Sequence, residues 1–383
     1  MNSSATTSSP DGLSTEVYAH ESVFETLGEE WRAACSGMQR PSIFITPEYL
    51  ETAWKHLREE NDQPWVMAVR DAGQLVGLLP LVRCKRKAHG LTGYELRHMG
   101  MWEGDRPGLL ATVAPDRVWP ALFEALRRLR SQWQWLDLRE LDENAWPLRH
   151  ADQLGPMMRT SIENDTQAAF LTLDGSWDVY LAARSTRTRK SFLKTQRELS
   201  QDHPEWDIQV IEEPSGLVEA FNRYVEIERR SWKVSAGVGL WSDTRQANFY
   251  RELLPLLARD GRASVWLLRI DGRDAAGLVR FSHGEIVYER LCTYDPEFGQ
   301  YSPGVQLCRE AMRRSFGSNY RESDALGMTQ PIEERKAIAS WYDGMRQTRR
   351  LAVTNLASPM ALWLAGHYVF KRLGAPRAVE MAA

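Results

Sequence analysis

Apolar and polar residues alternate along this chain in two registers, one of period two and one near 3.6, and their succession predicts the elements. Val17–Ala34 carries apolar residues at helical spacing. Thr46-Pro47 then supplies a cap and a first-turn proline for a helix over Glu48–Leu57. From Trp65 two apolar runs joined at Asp71-Ala72-Gly73 read as a β-hairpin. An amphipathic Ala121–Leu129 precedes a strand at Trp135–Leu138. Gly155-Pro156 and the polar run at Asn164-Asp165 mark a boundary region, after which Phe170–Leu173 resumes a strand and Trp177–Leu181 opens a long helical stretch. A second hairpin runs from Val265–Ile270 through Asp271-Gly272 into Ala276–Phe281. The interval from Asp71 to Gly77 equals that from Asp271 to Gly277, which points to an internal duplication.

The stretch Ile286–Phe316 orders the rest. A strand at Ile286–Thr293 turns through Asp295-Pro296 into a helix that starts at Ser302-Pro303-Gly304, with an apolar stripe at Val305, Cys308, Met312 and Phe316. The first amides of such a helix are unpaired donors at the positive end of its dipole, and either hold a phosphate or simply begin a capped helix. A strand at Tyr320–Leu326, a helix at Ile332–Met345, a strand at Arg350–Asn355 and an amphipathic segment at Leu356–Leu373 complete the pattern.

Composition narrows the classes. A chain of 383 residues exceeds what one core usually serves, so two domains are expected. Its net charge of −3 gives no sign of a nucleic-acid partner. The four cysteines, Cys35, Cys84, Cys292 and Cys308, form no CxxC and lie near no histidine cluster, so neither a disulfide framework nor a metal site is expected. The polar, Ser/Thr-rich start is neither basic nor apolar, and reads as a disordered tail over residues 1–15 rather than a signal peptide. No run of eighteen apolar residues occurs, so a cytoplasmic protein is expected. Arg184, Arg187, Arg189, Lys190, Lys194 and Arg197 are the densest basic run, with Arg187, Lys190, Lys194 and Arg197 spaced for one helical face. That face binds an acidic or phosphate group, rests peripherally on an anionic inner-membrane surface, or is merely solvated.

Several motifs together carry a resemblance. Phe44-x-Thr46-Pro47 with Trp54, the hairpin ending Gly77-Leu78-Leu79-Pro80-Leu81-Val82, the basic helix after Tyr180-Leu181, and above all Tyr294-Asp295-Pro296-Glu297-Phe298 with Tyr301-Ser302-Pro303-Gly304 occur in one order. The chain resembles the CelD-like branch of the GNAT acetyltransferase superfamily over Phe44 to Val353. The resemblance implies an α+β protein of two tandem GNAT-like domains, mixed central sheets flanked by helices. It divides the chain into a degenerate domain at 16–160, a domain with the acyl-coenzyme A site at 161–355, and an amphipathic segment at 356–383. It also implies acyl-coenzyme A as co-substrate, with pantetheine between Ile286–Thr293 and Tyr320–Leu326 and pyrophosphate on Gln300, Tyr301, Ser302, Gly304 and Val305. The superfamily's Arg/Gln-x-x-Gly-x-Gly/Ala loop is not reproduced, since Val305 and Gln306 follow Gly304. Peptidoglycan-bridge ligases of the Fem type share the doubled fold and use aminoacyl-tRNA.

Acyl transfer from a thioester to an amine needs a base, oxyanion donors and an acid for the thiolate. Glu289 and His283 are the candidate bases, the alternatives being that Glu289 pairs with Arg290 or Arg280 and that His283 is an exposed turn residue. Tyr294, flanking the loop, is the candidate acid, or it packs. Arg187, Lys190, Asp324, Lys336 and Asp105 are the candidate acceptor contacts. The expected function is N-acylation of a cell-envelope precursor, a small molecule or a long-chain lipid amine such as a sphingoid base, as in ceramide-type acylation. The alternatives are acetylation of an exopolysaccharide sugar, a Fem-like aminoacyl-tRNA-dependent ligase, and a non-catalytic scaffold of envelope assembly.

Overall fold

The computed structural model describes residues 5–8, 12–38, 42–88, 91–234, 237, 239–240, 242–328 and 340–358. The chain opens with β1 (Ala5–Ser8) and β2 (Ser14–Tyr18), passes through α1 (Val23–Ser36) and α2 (Pro47–Leu57), and makes the hairpin β3 (Gln63–Asp71) and β4 (Gln74–Ala88). Next come β5 (Leu91–His98), the short β6 (Leu110–Ala111), α3 (Pro115–Arg128), β7 (Trp135–Asp142), the short α4 (Trp146–Arg149) and β8 (Met158–Thr172). The plan is then repeated. After α5 (Trp177–Ala183) and α6 (Thr186–Asp202) come β9 (Trp206–Ile211), α7 (Pro214–Arg230), α8 (Thr244–Ala258), β10 (Ala263–Ile270), β11 (Arg273–His283) and β12 (Ile286–Tyr294). The chain closes with α9 (Pro303–Phe316), β13 (Glu322–Met328) and β14 (Gly344–Asn355).

The duplication expected from the hairpins holds at the level of contacts. Ala72-Gly73 and Asp271-Gly272 both take the left-handed backbone of a tight hairpin turn. Each hairpin slips register once just inside its turn. Gly77 and Gly277 are where a helix crosses the sheet most closely. A Cβ on Gly77 would lie 2.3 Å from Val118 of α3, and one on Gly277 would lie 2.6 Å from Tyr224 of α7.

All the strands among the described residues belong to one sheet, ordered β1-β2-β3-β4-β5-β7-β14-β8-β13-β12-β11-β10-β9, with β6 beside β4. The centre of that order is an exchange. β8, from the first repeat, pairs with β13 of the second, and β14, the last strand of the second repeat, pairs with β7 of the first. The two strands also pair with each other over most of their length. The helices α1, α2, α7 and α8 cover one face and share a core built on Trp31, Phe44, Tyr49, Phe221, Phe249 and Phe281. On the other face α3 covers the first repeat, and α5, α6 and α9 cover the second. Among the described residues no helix is long and apolar enough to cross a membrane.

Some expectations are corrected. Within the tail, Ala5–Ser8 and Ser14–Tyr18 are paired strands, because alternating Thr, Val and Tyr residues extend the edge of β3. Val17 therefore sits in β2, and the first helix begins at Val23. The polar run at Asn164-Asp165 is not a loop: it lies inside β8, where Arg349 and Arg350 of β14 face Asn164 and Glu163. The anticipated division at 160/161 falls within the same strand. Met345 is in β14 rather than at a helix end. Residues 332–339 of that expected helix, Lys336, and the C-terminal segment beyond Ser358 lie outside the described residues.

Candidate active site

The repeats differ in how their parallel strand pair ends. In the second, β12 and β13 pair at Ile286, Val287 and Tyr288 with Glu322, Ser323 and Asp324, and then separate. Two irregularities cause the parting. Val279 and Arg280 are consecutive on β11 yet face Leu291 and Glu289, so Arg290 is an extra, bulged residue of β12. On β13 the register against β8 slips after Asp324, and Leu326 is held at φ +64°. β12 runs on to Tyr294, leaving one edge of Glu289–Tyr294 facing an open wedge. In the first repeat the equivalent pair is Glu95–Arg97 with Trp135–Asp137, but β5 stops at His98. The chain instead crosses over to furnish the second repeat's site with Glu103, Asp105 and Arg106.

These three residues build a buried charged cluster on the α2 and α8 side of the wedge. Arg106 Nε lies 2.7 Å from Asp105 Oδ1, and its Nη2 lies 2.8 Å from Asp324 Oδ1. Asp324 also accepts from Arg346 Nη1 at 2.9 Å and from the Leu326 amide at 2.8 Å. Asp105 accepts from the Gly327 amide. Glu103 receives the bulged Arg290 and, at 2.7 Å, the Tyr250 hydroxyl, while Tyr49 donates to its carbonyl at 2.7 Å. Glu140 completes the group: its Oε2 accepts from the Arg106 amide at 2.6 Å, and its own amide donates to Asp165 at 2.8 Å. Burial first, then the charges of Asp105 and Asp165, push the Glu140 carboxyl up to about 7. Arg106 and Glu140 have φ of +45° and +54°, so with Leu326 three left-handed non-glycine residues meet here. Such strain persists where the surroundings over-determine it and concentrates at functional sites.

The other side of the wedge faces α9. Glu289 Oε1 lies 3.0 Å from Arg280 and accepts from Ser323 at 3.1 Å. Arg280 in turn donates to Ser315 of α9 at 2.7 Å. Beyond Glu289, Cys292 and Tyr294 flank the first turn of α9: a Cβ on Gly304 would lie 3.6 Å from Cys292 Sγ and 3.5 Å from the Tyr294 ring. Tyr342 is close enough to Glu289 and Cys308 that, after burial itself, Glu289 raises its phenol well above the usual range. Three buried polar atoms around the wedge make no hydrogen bond within the described residues: Glu289 Oε2, Thr293 Oγ1 and Arg106 Nη1. Native structures seldom leave such atoms unsatisfied outside functional sites.

The structure brings the sequence candidates together only in part. Tyr294 and Gly304 meet where β12 ends against the first turn of α9, close to Ser302 and Val305 in sequence, while Glu289 lies farther back on β12 with Arg280 and Ser323. Asp105 and Asp324 meet through Arg106. Glu289 is not a free base, because Arg280 holds it. His283 faces Arg262 and Glu48 on the opposite side of the sheet, and burial, then Arg262, push it down to about 4. Tyr301 is buried and donates to Asp202 of α6 at 2.9 Å, and Gln300 is exposed on the same turn. Ser302 precedes α9 at φ +50° without a side-chain cap bond. Arg187 and Lys190 are exposed on α6, outside the wedge. Glu103, Arg106, Glu140, Arg290 and Tyr342 were not anticipated. The one sequence signal for them is the charged run Glu103-Gly104-Asp105-Arg106, set between apolar segments.

Residues 186–333 match the family model for the acetyltransferase (GNAT) domain. No curated protein sequence matches the chain. Among solved structures, FemX aligns with a TM-score of 0.61 at 10% identity, over 88% of this chain and 97% of that one. A conserved protein of unknown function from Bacteroides thetaiotaomicron aligns at 0.52 and 12% identity, over 85% and 97%. The C-terminal domain of a putative lysylphosphatidylglycerol synthetase from Agrobacterium fabrum aligns at 0.51 and 13% identity, over 90% and 96%. At these identities the likeness is one of fold.

Proposed function

We propose that this chain, a doubled GNAT-fold protein with an acetyltransferase (GNAT) domain over residues 186–333, transfers an acyl group from coenzyme A to an amine. The observation that carries the reading is the bulged, open end of the β12/β13 pair, with a helix start on one side and a buried carboxyl of near-neutral pKa on the other. In this reading the thioester lies along the free edge of Glu289–Tyr294. The phosphates rest on Gln300–Val305, at the positive end of α9. The acceptor amine approaches from the cluster side, where the buried Asp105 and Asp324 carboxylates lie around Arg106. Glu140, half ionised near neutrality, takes the proton as nitrogen bonds to the acyl carbon and the carbon–sulfur bond breaks. Tyr342, kept neutral, protonates the departing thiolate. Glu289, locked by Arg280 and Ser323, positions β12 rather than moving protons.

A lipid amine is the preferred acceptor. The outer face of α6 sets exposed Leu193 among exposed Lys190, Lys194 and Arg197, a pattern suited to an anionic lipid surface. The test is a thermal-shift titration with acetyl-, medium-chain and long-chain acyl-coenzyme A, followed by turnover with a sphingoid base and with an amino sugar. Stabilisation by one donor, and turnover lost in Glu140→Gln with donor binding retained, is the expected result. No stabilisation by any donor refutes the coenzyme A reading.

The same basic face favours a second reading, a tRNA-borne donor. That reading requires charged tRNA to bind with a steep salt dependence.

A further inference from the structure

The four cysteines fall into two classes. Cys35 and Cys84 are only 4% and 1% exposed, and burial pushes each thiol up to about 12. Cys292 is exposed on β12, and Cys308 is half-buried one turn into α9, with the two sulfurs 3.7 Å apart. We infer that Cys292 and Cys308 form a thiol–disulfide exchange site opening on the wedge between β12 and α9, with Cys292 the attacking sulfur and Cys308 the resolving one.

The geometry favours a thiolate at Cys292. Its sulfur lies beside Gly304 in the first turn of α9, where the dipole is positive. The hydrogen bond shared with Cys308 favours the Cys292 thiolate and Lys233 adds positive charge, while its own burial and Glu289 oppose them, and the thiol's acidity is enhanced. The Cys308 thiol is held protonated mainly by that same hydrogen bond, and this restraint vanishes once Cys292 is capped.

The ligand class is a low-molecular-weight disulfide, R–S–S–R. The Cys292 thiolate attacks one of its sulfurs, the S–S bond breaks, and the first R–S⁻ leaves with a mixed disulfide on Cys292. Cys308 then loses its proton to solvent and attacks Cys292 Sγ. The second R–S⁻ leaves and an internal disulfide forms. The two cysteines are oxidised and R–S–S–R is reduced to two thiols. Forming the bond brings the sulfurs from 3.7 Å to about 2.05 Å. On the coenzyme A reading, on which this consequence alone rests, either oxidised form obstructs the donor's path along β12.

The test treats the reduced full chain with oxidised glutathione or coenzyme A disulfide, followed by non-reducing peptide mapping. A Cys292–Cys308 cross-link is expected, with Cys292 reacting on the order of a hundred-fold faster than Cys35 or Cys84. That figure sets the larger thiolate fraction against the lower intrinsic nucleophilicity of an acidic thiol. Cys308→Ser should trap the mixed disulfide on Cys292, and Cys292→Ser should leave Cys308 almost unlabelled. An adduct-free Cys308→Ser, or equal labelling of Cys308 in Cys292→Ser, overturns the assignment. Both serine variants are checked for unchanged thermal unfolding, so that misfolding does not mimic either result. Separately, acetyl-coenzyme A should stabilise the reduced chain and not the oxidised one. Absence of stabilisation in the reduced chain counts against the donor reading, and the mapping result stands apart from it.

Discussion

Replacing Glu140 by Gln should stabilise the protein at alkaline pH and leave it nearly unchanged in acid. The carboxyl ordinarily titrates near 4.5 and is pushed up to about 7 in the fold, chiefly by burial and then by Asp105. A raised carboxyl disfavours its own ionised form. The folded state therefore keeps its full stability below pH 4.5 and loses this contribution as pH rises through about 7. At about 1.4 kcal/mol for each pH unit, the loss comes to about 3 kcal/mol by pH 8. Gln cannot ionise, and its carbonyl oxygen can still accept from the Arg106 amide, which now donates to Oε2 at 2.6 Å. The assay is urea unfolding of both proteins at pH 4.5 and pH 8. The expected difference, Glu140→Gln minus native, is close to zero at the lower pH and up to about 3 kcal/mol in favour of the variant at the higher. Titration of the groups that do not interact with Glu140 cancels in that difference. A difference that is the same at both values, or that favours the native protein more at pH 8, refutes the argument. On the proposed function, the same carboxyl should give an acid limb near pH 7 in kcat/KM that is absent from the residual rate of the variant.

Arg106→Met strands Asp105 with only the Gly327 amide and should cost about 3–5 kcal/mol in chemical unfolding, with Asp105→Asn in the same chain recovering part of it. No recovery would mean that the cost is packing. Gly277→Ala forces a Cβ to within 2.6 Å of the fully buried Tyr224 and should cost about 1–3 kcal/mol, and Gly77→Ala against Val118 should behave alike. A neutral result at either position would show that the helix can lift. Reversing Lys190 and Lys194 to Glu should abolish binding to anionic vesicles and leave acyl-coenzyme A affinity unchanged. A ten-fold loss of donor affinity would instead make α6 a clamp for the donor's phosphate.

The parts of the fold that local chemistry decides were legible in the residues. The two hairpins follow from their turn residues and apolar flanks, and α9 from its Pro303 start and stripe. The repeat was visible in Gly77 and Gly277 because close helix crossing demands the same residue twice. The exchange of β8 and β14 was hidden, since pairing partners about two hundred residues apart leave no local trace. Half of the site was hidden for the same reason. Glu140 follows an apolar strand and reads as its polar end, and nothing nearby reveals that Arg106 and Asp165 bind it. Glu289 lies on β12, and its partner Arg280 was one of two open choices.

The crossed strands also set a timetable for synthesis. β7 is complete at Asp142, yet the strand that covers its far edge ends only at Asn355. At a translation rate of about 5–20 residues per second, the interval is on the order of 10–40 s. Throughout it the emerging first repeat presents Trp135–Asp142 as an uncapped edge, the kind of template on which chains misassemble. The first repeat thus cannot finish on the ribosome before the second has been made, and a gene split between the repeats would yield two fragments that each lack a strand belonging to the other.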